Sequence, residues 1–220
     1  MGIIRFLFIS FVKICQKIFY PTKVTWVNNR KAVWDNVPLV VVLNHTSLFE
    51  FIYAGILPFS YIKKISSHLI APVAKETSDK WFMGFLFKLM APKPIPISRK
   101  KDESWQYFLD QICARDIMIF LPEGRMKRLN GFDKHGKKMT VRGGIVEVLK
   151  RYQGREMMFV YSGGLHHVLP PGKTIPRLFK RLSVKLESIK VSEYLEKFKN
   201  DINIKKSICL DMEKRRDKYT

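Results

Sequence analysis

The amino-acid sequence predicts an α/β fold: a single domain with a mostly parallel central sheet flanked by helices, preceded by an amphipathic N-terminal helix. Three observations predict it. Short β-branched runs such as VPLVVVL (37–43) alternate along the chain with longer segments of helical periodicity, the pattern of strands joined by crossover helices. The chain has 220 residues and is 46% apolar, which suits one domain with a full core and excludes wholesale disorder. Large apolar side chains crowd the first twenty residues, with the polar ones confined to one arc.

In chain order, residues 2–20 (GIIRFLFISFVKICQKIFY) come first. Arg5, Lys13 and Lys17 interrupt them before they reach the roughly 20 clean residues of a spanning helix. At about 100° per residue, Arg5, Ser10, Lys13, Gln16 and Lys17 share an arc of roughly 140°, leaving a wide face of Ile, Phe, Leu and Val. That is the pattern of a helix lying in a bilayer interface with its cations toward anionic headgroups, so residues 1–22 are expected to be a membrane-docking segment and 23–220 the α/β domain. A signal peptide would need a small-residue cleavage site, and myristoylation would need Ser or Thr where Phe6 stands; an ordinary core-packing helix is the alternative left open.

Residues 23–27 predict a strand, and 37–43 a buried strand that ends at Asn44 and His45. Residues 47–57 predict an apolar helix, opened by Ser47 and Glu50 at capping-box spacing and ended at Leu57 and Pro58. A strand at 68–74 is followed by the helix WFMGFLFKLM (81–90), capped by Ser78 or Asp79. Next come an extended PIPISR (94–99) and a helix from residue 103 capped by Asp102. DIMIFLPEGR (116–125) is a buried strand ending in a turn. A helix at 143–152, strands at 157–164 and 181–189, and a helical, basic C-terminal stretch from 191 complete the chain.

The 40 Lys and Arg against 19 Asp and Glu give a net charge of +21, which favours anionic partners: nucleic acid, an anionic bilayer, acidic proteins or phosphorylated substrates. Nucleic acid is not expected, because no reading element is present and the aromatics gather in apolar runs instead of among the basic residues. Cys15, Cys113 and Cys209 are odd in number and widely spaced, so neither a disulfide frame nor a metal site is expected, and a reducing compartment fits.

In a parallel sheet the site lies beyond the carboxyl ends of strands, where NHTSLFE, PISR and LPEGR all stand. Residues five apart inside a helix point about 140° away from each other, so His45 and Glu50 can meet only if His45 occupies the turn before the helix. Acids are 19 of 220 residues, so any one histidine has an acid five places on about one time in twelve; His45 is the one of five that does. A histidine oriented by a carboxylate is a general base able to activate a hydroxyl. Ser162 lacks the G-x-S-x-G elbow of a nucleophile, and Ser47 reads as a cap, so the attacking hydroxyl would belong to a bound acceptor. Arg99 and Arg125 each end an extended run from which a guanidinium can bind an oxyanion. Glu123 before Gly124 suggests a tight turn whose acid holds an arginine or an acceptor hydroxyl. His166 and His167 receive no role.

NHTSLFE resembles the N-H-x-x-x-x-D block of the glycerolipid acyltransferases of lysophosphatidic acid acyltransferase type. PIPISR is similar to their second block and FLPEGR to their F-P-E-G-T-R block, all in family order across about residues 37–165. The resemblance implies an O-acyltransferase with His45 as general base and Glu50 as its partner. Arg99 with the loop of Glu123, Gly124 and Arg125 would bind the acceptor's phosphate, and Asn44 and Arg128 complete the expected substrate-binding set. Acyl-CoA or acyl carrier protein would be the donor, with no metal or further cofactor. The acceptor would be a lysophospholipid such as 1-acyl-glycerol-3-phosphate, on the cytoplasmic side of a membrane. Glu50 replaces the usual aspartate. The missing threonine sets Arg125 one position early, so that Arg125 or Arg128 fills the third-block role, or the acceptor carries no phosphate. A catalytically degenerate, basic membrane-binding protein is the remaining alternative.

Overall fold

The β-branched run before His45 folds as strand β2 (Leu39–Leu43), buried at every residue. Leu39, Val41 and Leu43 enter one apolar layer and Val40 and Val42 the other, as a strand covered on both faces requires. The computed structural model describes residues 2–28, 34–79, 81–98 and 102–220.

Among these residues are β1 (Thr22–Trp26), β3 (Leu69–Ala74), β4 (Lys93–Ile97), β5 (Ile117–Phe120), β6 (Glu156–Gly163) and β7 (Leu182–Lys190), which with β2 form one sheet in the order β1-β7-β6-β2-β5-β3-β4. Every neighbouring pair is parallel except β6 with β7, so β1 and β7 run against the other five. Strand β2 lies between β5 and β6. The loops leaving these three strands therefore meet at one edge of the sheet.

One face is covered by α5 (Glu103–Asp110), α6 (Ile145–Arg151), α8 (Val191–Glu196) and α9 (Ile204–Tyr219), whose Trp105, Phe108, Leu149, Tyr194 and Met212 build the first layer. The other is covered by α1 (Gly2–Phe19), a 3-10 helix (Glu50–Ile56), α2 (Phe59–His68) and α7 (Leu165–Val168), with Val12, Tyr53, Tyr61 and Val168 in the second. The short α3 (Lys75–Ser78) and α4 (Trp81–Met90) link β3 to β4.

Three sequence expectations are corrected. The helix expected over 47–57 is the tighter 3-10 helix at Glu50–Ile56, and no side chain caps it. The Ser47 hydroxyl instead donates to Leu169 O at 2.7 Å and accepts from Phe49 N at 3.0 Å, while the Glu50 carboxylate is drawn back to His45 and Thr46. Helix α2 follows Pro58, where the sequence reading left no element. Ser78, expected as a cap of α4, lies within α3 and donates to Lys75 O at 2.9 Å. Asp102 does cap α5, accepting from Ser104 N at 3.0 Å.

The fourth correction concerns α1. The middle of its polar arc faces the domain, not headgroups, while Lys17 stays exposed. Ser10, Lys13 and Gln16 are buried, and Lys13 Nζ donates to Gly55 O at 2.9 Å and Leu57 O at 2.5 Å. Those carbonyls close the 3-10 helix, where acceptors at a helix end lack intrahelical donors, and an ammonium satisfies them. The Gln16 side chain lies so close over Gly55 that any Cβ there would collide with it. The opposite side, Ile3, Ile4, Leu7, Phe11, Ile14 and Ile18, is exposed, each by half or more. Among the described residues no helix is long and apolar enough to cross a membrane.

Candidate active site

Strand β2 ends at Asn44, whose φ of 71° turns the chain sharply so that His45 stands beyond the sheet. Asparagine tolerates this left-handed backbone because its short amide can bond locally. Asn44 Nδ2 donates to Ser162 O at 2.7 Å and Ser162 Oγ returns a bond to Asn44 O at 2.9 Å, tying the turn to β6. The amide side chain of Asn44, expected in the substrate-binding set, donates to the turn and is buried.

His45 Nδ1 lies 2.7 Å from Glu50 Oε2, and Glu50 Oε1 accepts from Thr46 N at 3.1 Å. The two side chains are 16% and 12% exposed, so water weakens their interaction little. A carboxylate on Nδ1 places the proton there and leaves Nε2 as the basic nitrogen. Burial by itself lowers the His45 pKa, but the Glu50 charge and hydrogen bond, with the Glu123 charge behind them, hold it above its ordinary value.

Glu123 is fully buried, and its carboxylate turns inward beneath the His45 turn. It accepts from His45 N at 2.7 Å and from Asn44 N at 3.4 Å, and pairs with Arg216 Nη1 at 3.0 Å. Of the two partners expected for this acid, an arginine or an acceptor hydroxyl, it holds an arginine, Arg216, and Glu123 shapes the backbone that carries His45. The adjoining Gly124 adopts φ 61°, and a Cβ on it would press the Arg142 guanidinium. The carbonyl of His45 is fixed in turn by Lys127 N at 2.7 Å.

His45 and Glu50 line a cavity of about 780 Å³. Its walls are apolar where Phe8, Ile9 and Val12 of α1, Leu86 and Phe87 of α4 and Val40 and Val42 of the sheet meet. Arg125, Arg142 and Lys205 also line it and bring cations to it. The Arg125 guanidinium pairs with Asp133, which also accepts from His135 N at 2.8 Å and Lys137 N at 2.9 Å. Among the described residues, the buried Arg125 Nε has no hydrogen-bond partner.

Arg128 is exposed in a turn closed by its N–H to Phe132 O, so of the two candidates it is Arg125 that reaches the cavity. Arg99 lies outside the described residues. Sequence reasoning missed Arg142, Lys205 and Arg216. Arg142 stands just before Gly143 and Gly144 at the start of α6, an opening signal that could have marked it; the two α9 residues sit in a basic run where nothing singles them out. His166 and His167 face each other with ring centroids 3.9 Å apart in α7.

No family model matches the chain, and no curated protein matches it by sequence. Its fold is similar to that in the crystal structure of the 1-acyl-sn-glycerophosphate (LPA) acyltransferase PlsC from Thermotoga maritima, with a TM-score of 0.51 over 96% of this chain and 80% of that one, at 14% identity. This chain shares the fold of that protein. In it, the His45–Glu50 pair, the apolar cavity and the cations beside it converge where three strand ends meet, an arrangement able to deprotonate a hydroxyl next to a buried chain and a bound anion.

Proposed function

We propose that the protein is a membrane-associated O-acyltransferase that moves a fatty acyl group from a thioester, acyl-CoA or acyl carrier protein, to the hydroxyl of a lysophospholipid such as 1-acyl-glycerol-3-phosphate. The observation that carries this reading is the His45–Glu50 pair at 2.7 Å opening onto a 780 Å³ apolar cavity with Arg125 on its rim. A cavity of this size and lining suits a long hydrocarbon chain.

His45 Nε2 takes the proton of the acceptor hydroxyl as the oxygen attacks the thioester carbonyl. Glu50 stabilises the imidazolium so formed. Collapse of the tetrahedral adduct breaks the carbon–sulfur bond, and the departing sulfur receives the proton that His45 holds. Arg125, which lines the cavity, would hold the acceptor's phosphate together with Arg142. The exposed apolar face of α1 would rest in the bilayer interface, a role supported by Leu7 and Phe11, 60% and 62% exposed. With either donor the reaction would run at the cytoplasmic surface of a membrane.

The test is thiol release from a long-chain acyl-CoA, and separately from acyl carrier protein, in anionic vesicles carrying a panel of lysophospholipids. Release that requires one acceptor and is lost in His45→Ala supports the reading. Release with only non-phosphate acceptors would remove Arg125 from its assigned role, and no release from either donor would leave a degenerate membrane-binding protein.

A further inference from the structure

We propose that Arg216 of α9 is a positioning residue of the active centre, acting through Glu123 on the turn that carries His45. The inference rests on the reading of His45 as general base. Arg216 and Glu123 are 3% and 0% exposed, and Arg216 Nη1 bonds Glu123 Oε1 at 3.0 Å and Met139 O at 3.3 Å. Arg216 Nε is held in turn by Asp217 Oδ1 at 2.8 Å. The other Glu123 oxygen receives His45 N at 2.7 Å. Helix α9 is thus connected to the base by one carboxylate.

A buried ion pair is poor evidence for stability as such, since apolar residues of the same volume often do as well. What apolar residues could not do is accept the His45 and Asn44 backbone amides at a turn whose φ of 71° is otherwise unfavourable. Glu123 provides those acceptors, and Arg216 keeps its carboxylate aimed at them.

The groups that set the charge around His45 can be named. Glu50 reaches it from the 3-10 helix, Glu123 from the loop after β5, and Arg216 from α9 behind Glu123. Lys127 bonds its carbonyl through the backbone with His166 nearby, and Arg125, Arg142 and Lys205 line the same cavity. The Glu123 charge raises the His45 pKa, and Arg216 offsets that charge. Removing either partner therefore moves the base in opposite directions.

The experiment measures thiol release, per folded molecule, for Arg216→Met, Arg216→Lys, Glu123→Gln and, as a control on an exposed position of the same helix, Lys214→Met. Arg216→Met is expected to lower kcat about 10- to 100-fold with KM nearly unchanged, because a displaced base is felt in the chemical step. The acid limb of its kcat/KM profile moves to higher pH, that of Glu123→Gln moves to lower pH, and Arg216→Lys recovers most of the rate. A merely structural loosening would not move the two limbs apart. Limbs that shift the same way, or an Arg216→Met enzyme with the parent kcat and limb, overturn the proposal. If Arg216→Met does not fold, Arg216→Lys decides, since it keeps the charge: a displaced limb there overturns the proposal, and an unmoved limb beside a shifted Glu123→Gln supports it. His45→Ala separates the two readings. Full activity in it removes both, whereas an inactive His45→Ala beside unaffected Arg216 variants removes only this one.

Discussion

Glu50→Gln is the sharpest perturbation of the site. The parent carboxylate makes two bonds, to His45 Nδ1 at 2.7 Å and Thr46 N at 3.1 Å, in surroundings where it is 12% exposed. A carboxamide can keep the Thr46 bond through its oxygen, but it then presents N–H to His45. The imidazole must answer with the other tautomer, which places the proton on Nε2 and blocks the base. Breaking a buried charged contact by altering one partner costs about 3–5 kcal/mol, which in the transition state is roughly 10²- to 10⁴-fold in kcat. The acid limb of kcat/KM also falls, because the carboxylate that holds the His45 pKa up is gone. Stability follows the same sign. A histidine with a raised folded pKa contributes stability that is fully present below about pH 6.5 and is lost as pH rises through the folded value. The destabilisation of Glu50→Gln relative to parent is thus larger at pH 5.5 than at pH 9. Thiol-release kinetics across pH and urea unfolding at the two pH values measure both. Glu50→Asp draws the oxygens back by about 1.5 Å and is expected to lose less. A Glu50→Gln enzyme with parental kcat and an unmoved acid limb would refute the dyad.

The remaining predictions concern other parts of the molecule. Leu7→Gln with Phe11→Gln removes two exposed apolar anchors that would contribute about 1.5–3 kcal/mol each on full burial; vesicle partitioning is expected to weaken at least 10-fold in a sedimentation assay while the thermal midpoint is unchanged. Lys13→Met withdraws the donor from Gly55 O and Leu57 O and is expected to cost about 2–4 kcal/mol in urea unfolding; an unchanged midpoint would mean these carbonyls are satisfied otherwise. Asp133→Asn keeps an acceptor for the His135 and Lys137 amides but loosens Arg125, so the KM for a phosphate-bearing acceptor is expected to rise about 10-fold with the donor KM unaltered. The Asp133 carboxyl is held down at about 2, first by the Lys137 amide and then by the His135 amide and Arg125. That contact is present above the ordinary carboxylate range and lost only as pH falls through about 2, so an acid limb near neutrality does not come from Asp133.

Much of this fold could be read from the chain, because its strongest signals are local. The β2 run, the His45-to-Glu50 spacing and the Asp102 cap each depend on neighbours in sequence, and each is present where expected. The hydrophobic periodicity of α1 likewise shows which side chains share a face. It does not show which face meets the protein, since that depends on Gly55 and Leu57 offering carbonyls from a segment some forty residues away. The same limit hid Glu123 and Arg216, 93 residues apart, whose pairing exists only once α9 packs against the loop after β5. Glu50 was legible as a helix opener and as a partner of His45, and the second use won because a buried imidazole attracts a carboxylate more strongly than a backbone amide does.

The two sides of α1 have a kinetic consequence. Phe8, Ile9 and Val12 line the cavity, while Leu7 and Phe11 beside them face outward, so a single helix about 10 Å across separates the interior of the site from whatever covers the outer surface. If that surface is lipid, acceptor and enzyme meet by diffusion in two dimensions. Turnover then follows the mole fraction of acceptor in the bilayer rather than its bulk concentration, and diluting a fixed amount of acceptor into more vesicle lipid slows the reaction even though nothing in the test tube has changed volume.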